Sequence, residues 1–277
     1  MAELKEPAKT PPAAAAPAYT VLLLAAQRRG DDRLSALTGA RHKCLIDLHG
    51  RPMIAWVLDT LLAAPMVRQV LISIEDASVL AGVSEVAAAR VQVITSADNL
   101  YASVERALTG APGNCPALIT TADNPLLSVE MLTHFCSELE RRQADAAATM
   151  TRAELMRAKY PKGQRRFYAF RDDEYSNCNL YALANARALH AAKIFQHGGQ
   201  FRKKIIRTLR AFGLFNVILY KLRALTLNDL AERLSHSFGL RLTFITMPFP
   251  EAPIDVDNER TLKIARAIIG QRLQETS

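Results

Sequence analysis

Short apolar runs alternate with longer amphipathic segments through the first 150 residues of the chain. Short runs between polar loops are typical of buried strands, whereas apolar positions spaced three and four apart predict helices. The predicted strands are residues 20–26, 67–74, 91–95, 117–121 and 144–150. The predicted helices are residues 52–64, 77–89, 99–108 and 128–142. Repeated strand–helix units predict an α/β fold with a mainly parallel central sheet and helices on both faces.

The rhythm changes after Met150. Residues 165–170 and 175–183 flank a polar turn and predict a hairpin. Helical spacing follows in residues 184–195, 201–212 and 227–237, and a strand is predicted at 240–247. Thr226 is suited to cap the third of these helices, and Asp257 or Asn258 to cap a closing helix at 258–269.

Composition limits the class of protein. About half of the 277 residues are hydrophobic, enough for a substantial core, yet no run approaches the ~18 apolar residues of a membrane span. Residues 1–19 are rich in Ala and Pro and are expected to form a flexible tail rather than a secretory signal. The cysteines form no C-x-x-C pair, so reduced thiols in a cytoplasmic protein are expected: Cys44, Cys115, Cys136 and Cys178.

The net charge of +8 is concentrated in one segment. Residues 196–223 contain no acid but seven basic side chains: Arg202, Lys203, Lys204, Arg207, Arg210, Lys221 and Arg223. This distribution favours a local anionic partner, such as phosphate or a lipid surface, over a nucleic acid. The helix predicted at 201–212 has three interpretations: packing on the sheet with a solvated basic face, peripheral contact with an anionic membrane, or a lid over the acceptor.

Candidate chemistry lies where predicted strands end, since ligands of such sheets bind at the carboxyl ends of the strands. The first strand is followed by Gln27, Arg28, Arg29 and Gly30, and Lys43 lies further along. A basic loop with free backbone N–H groups can hold a triphosphate, and a lysine can neutralise a reacting phosphate. A solvated loop would show the same residues, so this signal is weak by itself.

Three carboxylates suit a divalent cation. Asp123 follows the fourth predicted strand and precedes Asn124-Pro125, while Asp255 and Asp257 alternate and would share one side of a strand. Mg²⁺ prefers such oxygen ligands. An ordinary Asx turn at Asp123 and helix capping by Asp257 explain the same residues equally well.

Taken together, these motifs resemble the MobA-like NTP transferase family. Leu24-Ala25-Ala26 with the basic loop, His42-Lys43 and Gly50-Arg51-Pro52-Met53-Ile54 resemble its L-A-A-G-x-G-x-R-M, P-K-x-L and G-x-P-(M/L)-(I/L) segments. Further matches are Ala122-Asp123-Asn124-Pro125, the segment from Asn99 to Val104, and the segment from Asp255 to Leu262. The chain departs from the pattern at Gln27, where the family usually has Gly, and at His42, where it usually has Pro.

The resemblance implies a Rossmann-like three-layer sandwich of the GT-A-like, nucleotide-diphospho-sugar transferase type. It divides the chain into a tail (1–19), a nucleotide-binding part (20–150), an acceptor-binding part with the basic insertion (151–253) and a closing metal-binding strand end with a helix (254–277). The implied activity is Mg²⁺-dependent transfer of a nucleoside monophosphate from an NTP, CTP or GTP being favoured. The acceptor would be a phosphorylated small molecule or lipid headgroup, and pyrophosphate would be released.

The resemblance also implies roles for individual residues. Lys43 and Arg29 would be catalytic, and Asn177 and Asn179 would bind the acceptor. The nucleotide would be bound by Ala25, Ala26, Gln27, Arg28, Gly30 and Ser103. The Mg²⁺ ligands would be Asp123, Asp257 and Asp255.

Two other functions remain open from sequence. A metal-dependent glycosyltransferase on a related fold would also use strand-end aspartates, but it would carry its D-x-D pair mid-fold and would not explain Lys43. A non-catalytic nucleotide-binding protein would explain the departures at Gln27 and His42.

Overall fold

The computed structural model describes residues 18–27, 33–110, 113–163, 167–189 and 213–276. The tail, Arg28 to Gly30, Arg165 and Arg166, and the helix predicted at 201–212 therefore lie outside the described residues, apart from the last two residues of the tail. The strands are β1 (Tyr19–Leu24), β2 (Asp47–Leu48), β3 (Arg51–Pro52), β4 (Val67–Ile74), β5 (Val91–Thr95), β6 (Ala117–Thr121), β7 (Ala146–Arg152), β8 (Tyr168–Ala169), β9 (Glu174–Leu183) and β10 (Leu242–Thr246). The α-helices are α1 (Arg33–Thr38), α2 (Met53–Ala63), α3 (Leu100–Thr109), α4 (Val129–Arg142), α5 (Ala153–Lys159), α6 (Leu214–Lys221), α7 (Leu227–Phe238) and α8 (Glu259–Thr276).

The main sheet has the strand order β10-β7-β9-β6-β1-β4-β5, and β8 pairs with β9. β1 is parallel to both β4 and β6, β4 is parallel to β5, and β7 is parallel to β10. β9 is antiparallel to β6, β7 and β8. The predicted α/β fold with a mainly parallel sheet is therefore confirmed, and the predicted hairpin of the second half is β8–β9.

Helices cover both faces of the central strand. Val21 and Leu23 of β1 belong to a buried cluster that includes Leu58 of α2 and Phe135 of α4. Leu22 points the other way, into a cluster with side chains of α3. Because alternate residues of β1 are buried on opposite faces, its residues from Val21 to Leu24 are all apolar, which explains the continuous run in the sequence.

A further apolar cluster joins the hairpin to the helices that follow it. Its buried members are Met150, Phe170, Tyr175, Leu227, Leu230 and Leu234. α7 begins at a reciprocal cap, in which the Thr226 hydroxyl accepts from the backbone N–H of Asp229 and the Asp229 carboxylate accepts from the backbone N–H of Thr226. The predicted cap at Thr226 is confirmed.

Several predicted elements differ in the structure. The helix predicted at 77–89 is wrong: two short 3₁₀ turns, Ala77–Leu80 and Ser84–Ala87, lie there with Gly82 between them. The Asp76 side chain accepts from the backbone N–H of Ser78, a local bond that competes with helix propagation. In the helix predicted at 184–195, residues 186–188 form a 3₁₀ turn and Leu189 is helical, whereas residues 190–195 lie outside the described residues. The closing helix, α8, extends beyond its predicted end.

No helix among the described residues has both the length and the apolar character needed to cross a membrane. All four cysteines are free thiols, as the sequence predicts, and Cys44, Cys136 and Cys178 are buried.

Candidate active site

Lys43 lies between two carboxylates from distant parts of the chain. Its Nζ donates to Asp123 Oδ2 at 2.5 Å and to Asp257 Oδ1 at 2.7 Å. Lys43 begins a 3₁₀ turn, Asp123 follows the end of β6, and Asp257 precedes α8. The backbone N–H of Ala122 donates to Leu24 O at 2.9 Å, so the segment carrying Asp123 is tied to the end of β1. The structure therefore groups these three predicted site residues at the carboxyl edge of the sheet.

The segment that carries Asp255 and Asp257 is not a strand, so that prediction is wrong. Its backbone is tied to the segment after β6 instead, because Val256 N donates to Asp123 O at 2.8 Å. Ile254 and Val256 are fully buried in an apolar cluster. Because Ile254 and Val256 are buried, the aspartates that alternate with them both face Lys43, although the segment is not part of a sheet.

Asn179 connects β9 to this group. Its Nδ2 donates to Asp255 Oδ2 at 3.1 Å, and its Oδ1 accepts from Asn177 Nδ2 at 2.8 Å. Asn179 has a φ of +51°, in the left-handed region, and the register of β9 against β7 shifts between Ala148 and Met150. Such a bulge redirects side chains. Both predicted acceptor residues are thus linked by hydrogen bonds to Asp255.

Negative charge exceeds positive charge in the Lys43 group. Burial alone would favour the neutral amine of Lys43, but the carboxylates of Asp123 and Asp257 outweigh it and raise its pKa. Burial and the neighbouring carboxylates of Asp257 and Asp123 raise the pKa of Asp255 well above its usual range. Three carboxylates therefore compete for one described ammonium, and an additional cation would relieve their repulsion.

The fit of a metal ion can be tested on the carboxylates themselves. Among the described residues, no set of three or more His, Cys, Asp or Glu side chains is arranged as metal ligands. However, Asp123 Oδ1 is buried and has no hydrogen-bond partner within the described part of the chain. An unsatisfied buried carboxylate oxygen is costly unless a cation or donor meets it. The chemistry of Asp123, Asp255 and Asp257 therefore fits a hard divalent cation.

The loop after β1 is described only up to Gln27. Ala25 is buried and continues the parallel ladder through its N–H, which donates to Ser73 O at 2.9 Å, whereas Ala26 is exposed. Gln27 Oε1 accepts from the backbone N–H of Lys43 at 3.0 Å, and Gln27 N donates to Glu75 Oε2 at 3.1 Å. Arg28, Arg29 and Gly30 lie outside the described residues.

Ser103 is buried in α3, and its Oγ accepts from the backbone N–H of Ala97 at 2.9 Å. Asn99 caps the same helix by accepting from the N–H of Ala102. Both side chains therefore shape the turn between β5 and α3, at the same edge of the sheet as Lys43.

Glu75 is the neighbour of the Lys43 turn that sequence reasoning missed. It follows β4 directly, and its carboxylate meets Gln27 and His42. The rule that singled out Asp123, an acid directly after a buried strand, applies equally to Glu75. What the sequence did not show was its partner, because His42 is 33 residues away.

The fold and the family match together place this protein in the class of α/β nucleotidyltransferases. A model of the MobA-like NTP transferase domain matches residues 24–219, well over half of the chain, so the chain belongs to that family. The predicted membership of this family is thereby confirmed. A search of curated proteins by sequence found no match.

Solved structures share the fold across nearly the whole chain. A hypothetical transferase from Thermus thermophilus is 22% identical, with a TM-score of 0.72, covering 88% of this chain and 99% of that one. 4-Diphosphocytidyl-2C-methyl-D-erythritol synthase from Anaerococcus prevotii is 13% identical, with a TM-score of 0.56 and coverage of 91% and 98%. A CMP:2-keto-3-deoxy-manno-octonic acid synthetase complexed with CTP is 16% identical, with a TM-score of 0.57 and coverage of 92% and 99%.

Proposed function

We propose that this protein transfers a nucleoside monophosphate from an NTP to a phosphorylated acceptor and releases pyrophosphate. The observation that carries the proposal is the meeting of Lys43 with Asp123 and Asp257, which are 80 and 214 positions away along the chain. Membership of an NTP transferase family supports this chemistry, and so does a cationic side chain held between two carboxylates at the carboxyl edge of the sheet.

In the proposed reaction, an acceptor oxygen attacks the α-phosphorus of the NTP. A new phosphorus–oxygen bond forms, the bond to the bridging oxygen breaks, and the electron pair leaves with pyrophosphate. Such transfer depends on positioning and on neutralisation of phosphate charge. Lys43 supplies a compact positive charge for the α-phosphate. Arg28, Arg29 and Gly30 are proposed to bind the outer phosphates, and Ala25, Ala26 and Ser103 to line the nucleoside side.

Asp123 and Asp257, with Asp255, are the residues that would hold Mg²⁺. The ion would supply further neutralisation of phosphate charge. Asn177 and Asn179 are proposed to contact the acceptor, because their bonds reach Asp255 and place amides beside the carboxylates. Residues 20–150 would then form the nucleotide part, 151–253 the acceptor part, and 254–277 the closing part of one domain.

CTP is the first nucleotide to test, with GTP next. Support comes from the fold shared with a synthetase complexed with CTP. On the family's chemistry, we propose that the acceptor is a lipid headgroup or another small phosphomonoester. The free thiols support a cytoplasmic location.

The test is a screen for pyrophosphate release with each of four NTPs, Mg²⁺ and pooled phosphorylated alcohols, sugars and lipid headgroups. We expect one NTP to support acceptor-dependent release, and we expect Lys43→Ala and Asp123→Asn to reduce it at least ~100-fold. Thermal unfolding checks that both variants are folded. Equal release by wild type and both variants would reject the assigned roles.

The same screen separates the competing functions. A glycosyltransferase would consume nucleotide sugars and release NDP or NMP but no pyrophosphate from NTPs. A non-catalytic protein would bind an NTP by calorimetry without turnover in any pool. Either result would replace the transferase proposal.

A membrane surface is proposed as an additional partner. Phe215 and Leu222, on and directly after α6, are 65% and 71% exposed, and Leu214 and Ile218 are exposed beside them. Lys221 and Arg223 flank these side chains, and the chain carries no acid from 196 to 223. Exposed apolar side chains with basic neighbours suit an anionic bilayer surface.

A further inference from the structure

Gln27 and His42 occupy the positions at which the chain departs from its family's motif, and both are bonded within the protein. Gln27 Oε1 accepts from the backbone N–H of Lys43 at 3.0 Å. Gln27 N donates to Glu75 Oε2 at 3.1 Å. The Gln27 side chain therefore links the end of β1 to the backbone of the proposed catalytic lysine.

His42 approaches Lys43 from the other side. It is buried and caps the 3₁₀ turn Lys43–Leu45, because its Nδ1 accepts from the backbone N–H of Cys44 at 3.3 Å. Since Nδ1 accepts, the ring proton is assigned to Nε2, which then donates to Glu75 Oε1 at 2.9 Å. The two oxygens of Glu75 therefore hold the two residues that position the Lys43 backbone.

The backbone next to Glu75 is held in the sheet. It follows Ile74, the buried last residue of β4, whose carbonyl accepts from the backbone N–H of Ser96 at 2.9 Å. The Glu75 side chain is 41% exposed. Packing alone therefore does not explain an acid at this position, whereas its two bonds do.

We propose that Glu75 is a positioning residue that acts through Gln27 and His42 to fix the Lys43 turn against β1 and β4. This inference rests on the proposed function of Lys43. It gives Gln27 a positioning role, because its backbone N–H and side-chain oxygen are both engaged. It also explains how the chain keeps a lysine turn in place with Gln and His where the family usually has Gly and Pro.

The first test measures the turn directly, without turnover. Glu75→Ala should accelerate hydrogen exchange at the amides of Lys43 and Cys44 by about 10-fold, since local opening becomes easier. Asp76→Asn is the matched control, because it removes one negative charge at the next residue and touches neither Gln27 nor His42. Unchanged exchange in Glu75→Ala, or an equal change in Asp76→Asn, would overturn the proposal.

The second test is a double-mutant cycle on pyrophosphate release. Glu75→Ala should lower kcat by about 10-fold with a smaller change in KM for the NTP, and it should add nothing to Lys43→Ala because it acts through Lys43. Glu75→Gln, which keeps one acceptor oxygen, should recover part of kcat. Additive losses in the double variant, or tighter NTP binding by Glu75→Gln, would overturn the positioning role. If exchange responds as expected but wild type is inactive with every NTP, the proposed function fails and the bonding of the turn stands.

Discussion

Asn179 shows how one residue can serve backbone and site together. Its φ of +51° allows β9 to bulge, and its amide reaches Asp255. Asparagine tolerates the left-handed region better than most residues with a side chain. The sequence showed two asparagines near a strand entry, but the bulge that aims Asn179 depends on the register with β7, which no local pattern contains.

Asn179→Gly and Asn179→Ala separate these two contributions. Both variants lose the bond to Asp255 and should lower kcat/KM for pyrophosphate release by about 10-fold. Only the alanine variant must strain its backbone, so it should lose about 1 kcal/mol of free energy of unfolding relative to the glycine variant. Kinetics and urea denaturation measure the two effects, and full activity of Asn179→Gly would show that the amide does not orient Asp255.

At the scale of elements, the sequence predicted helix starts well because caps are local. Asn99, Ser128 and Thr226 each accept a backbone N–H from a residue three positions on. The failure at 77–89 has an equally local cause, since Asp76 and Gly82 interrupt an otherwise helical pattern. The strand predicted at Asp255 failed for a different reason: alternating burial fits an extended segment, but a strand also needs a partner.

The last turn of α4 offers a test of charge within an element. Glu138 accepts from Arg141 and Arg142, and hydrogen bonding to Arg141 is the largest cause that lowers the pKa of Glu138 to about 2. A carboxyl whose pKa is lowered on folding stabilises the protein above its unfolded pKa of about 4.3, and that contribution is lost as pH falls through the folded value.

Glu138→Gln should therefore lower the free energy of unfolding by about 0.5 kcal/mol at pH 7, because the pair is partly exposed. The difference should persist at pH 5 and shrink as the pH falls from about 4 toward 2. Urea denaturation across this range measures it. Glu275→Gln, at the exposed end of α8, is the charge-matched control, and a pH-independent difference would reject the ion-pair explanation.

At the scale of the whole molecule, most strands and helices could be predicted from the sequence, because each depends mainly on the residues within it. The runs at 67–74, 91–95 and 117–121 coincide with β4, β5 and β6. The order of the strands in the sheet, with β9 antiparallel between β6 and β7, could not be predicted from the sequence. The candidate site needed the family resemblance, since spacing alone could not bring Asp123 and Asp257 to Lys43, and the bonds through Glu75 emerged only from the structure.

The concentration of basic residues in segment 196–223 leads to a prediction about membrane binding. We expect the protein to co-sediment with vesicles containing phosphatidylglycerol, and not with pure phosphatidylcholine, at low ionic strength. Lys221→Ala and Arg223→Ala should each weaken this binding about fivefold, from about 1 kcal/mol per basic residue near an anionic surface. Phe215→Asp should weaken it further because an exposed apolar contact is lost and a repelled charge is gained.

Two controls distinguish membrane binding through the residues around α6 from nonspecific adsorption to vesicles. Leu273→Asp changes an exposed leucine on α8, away from the basic segment along the chain, and should bind vesicles almost as wild type does. Raised ionic strength should release the wild type, because screening weakens attraction between exposed charges. Binding that is unchanged at high salt would reject the role of Lys221 and Arg223, and equal loss in Leu273→Asp and Phe215→Asp would mean that the exposed side chains around α6 do not contact the bilayer.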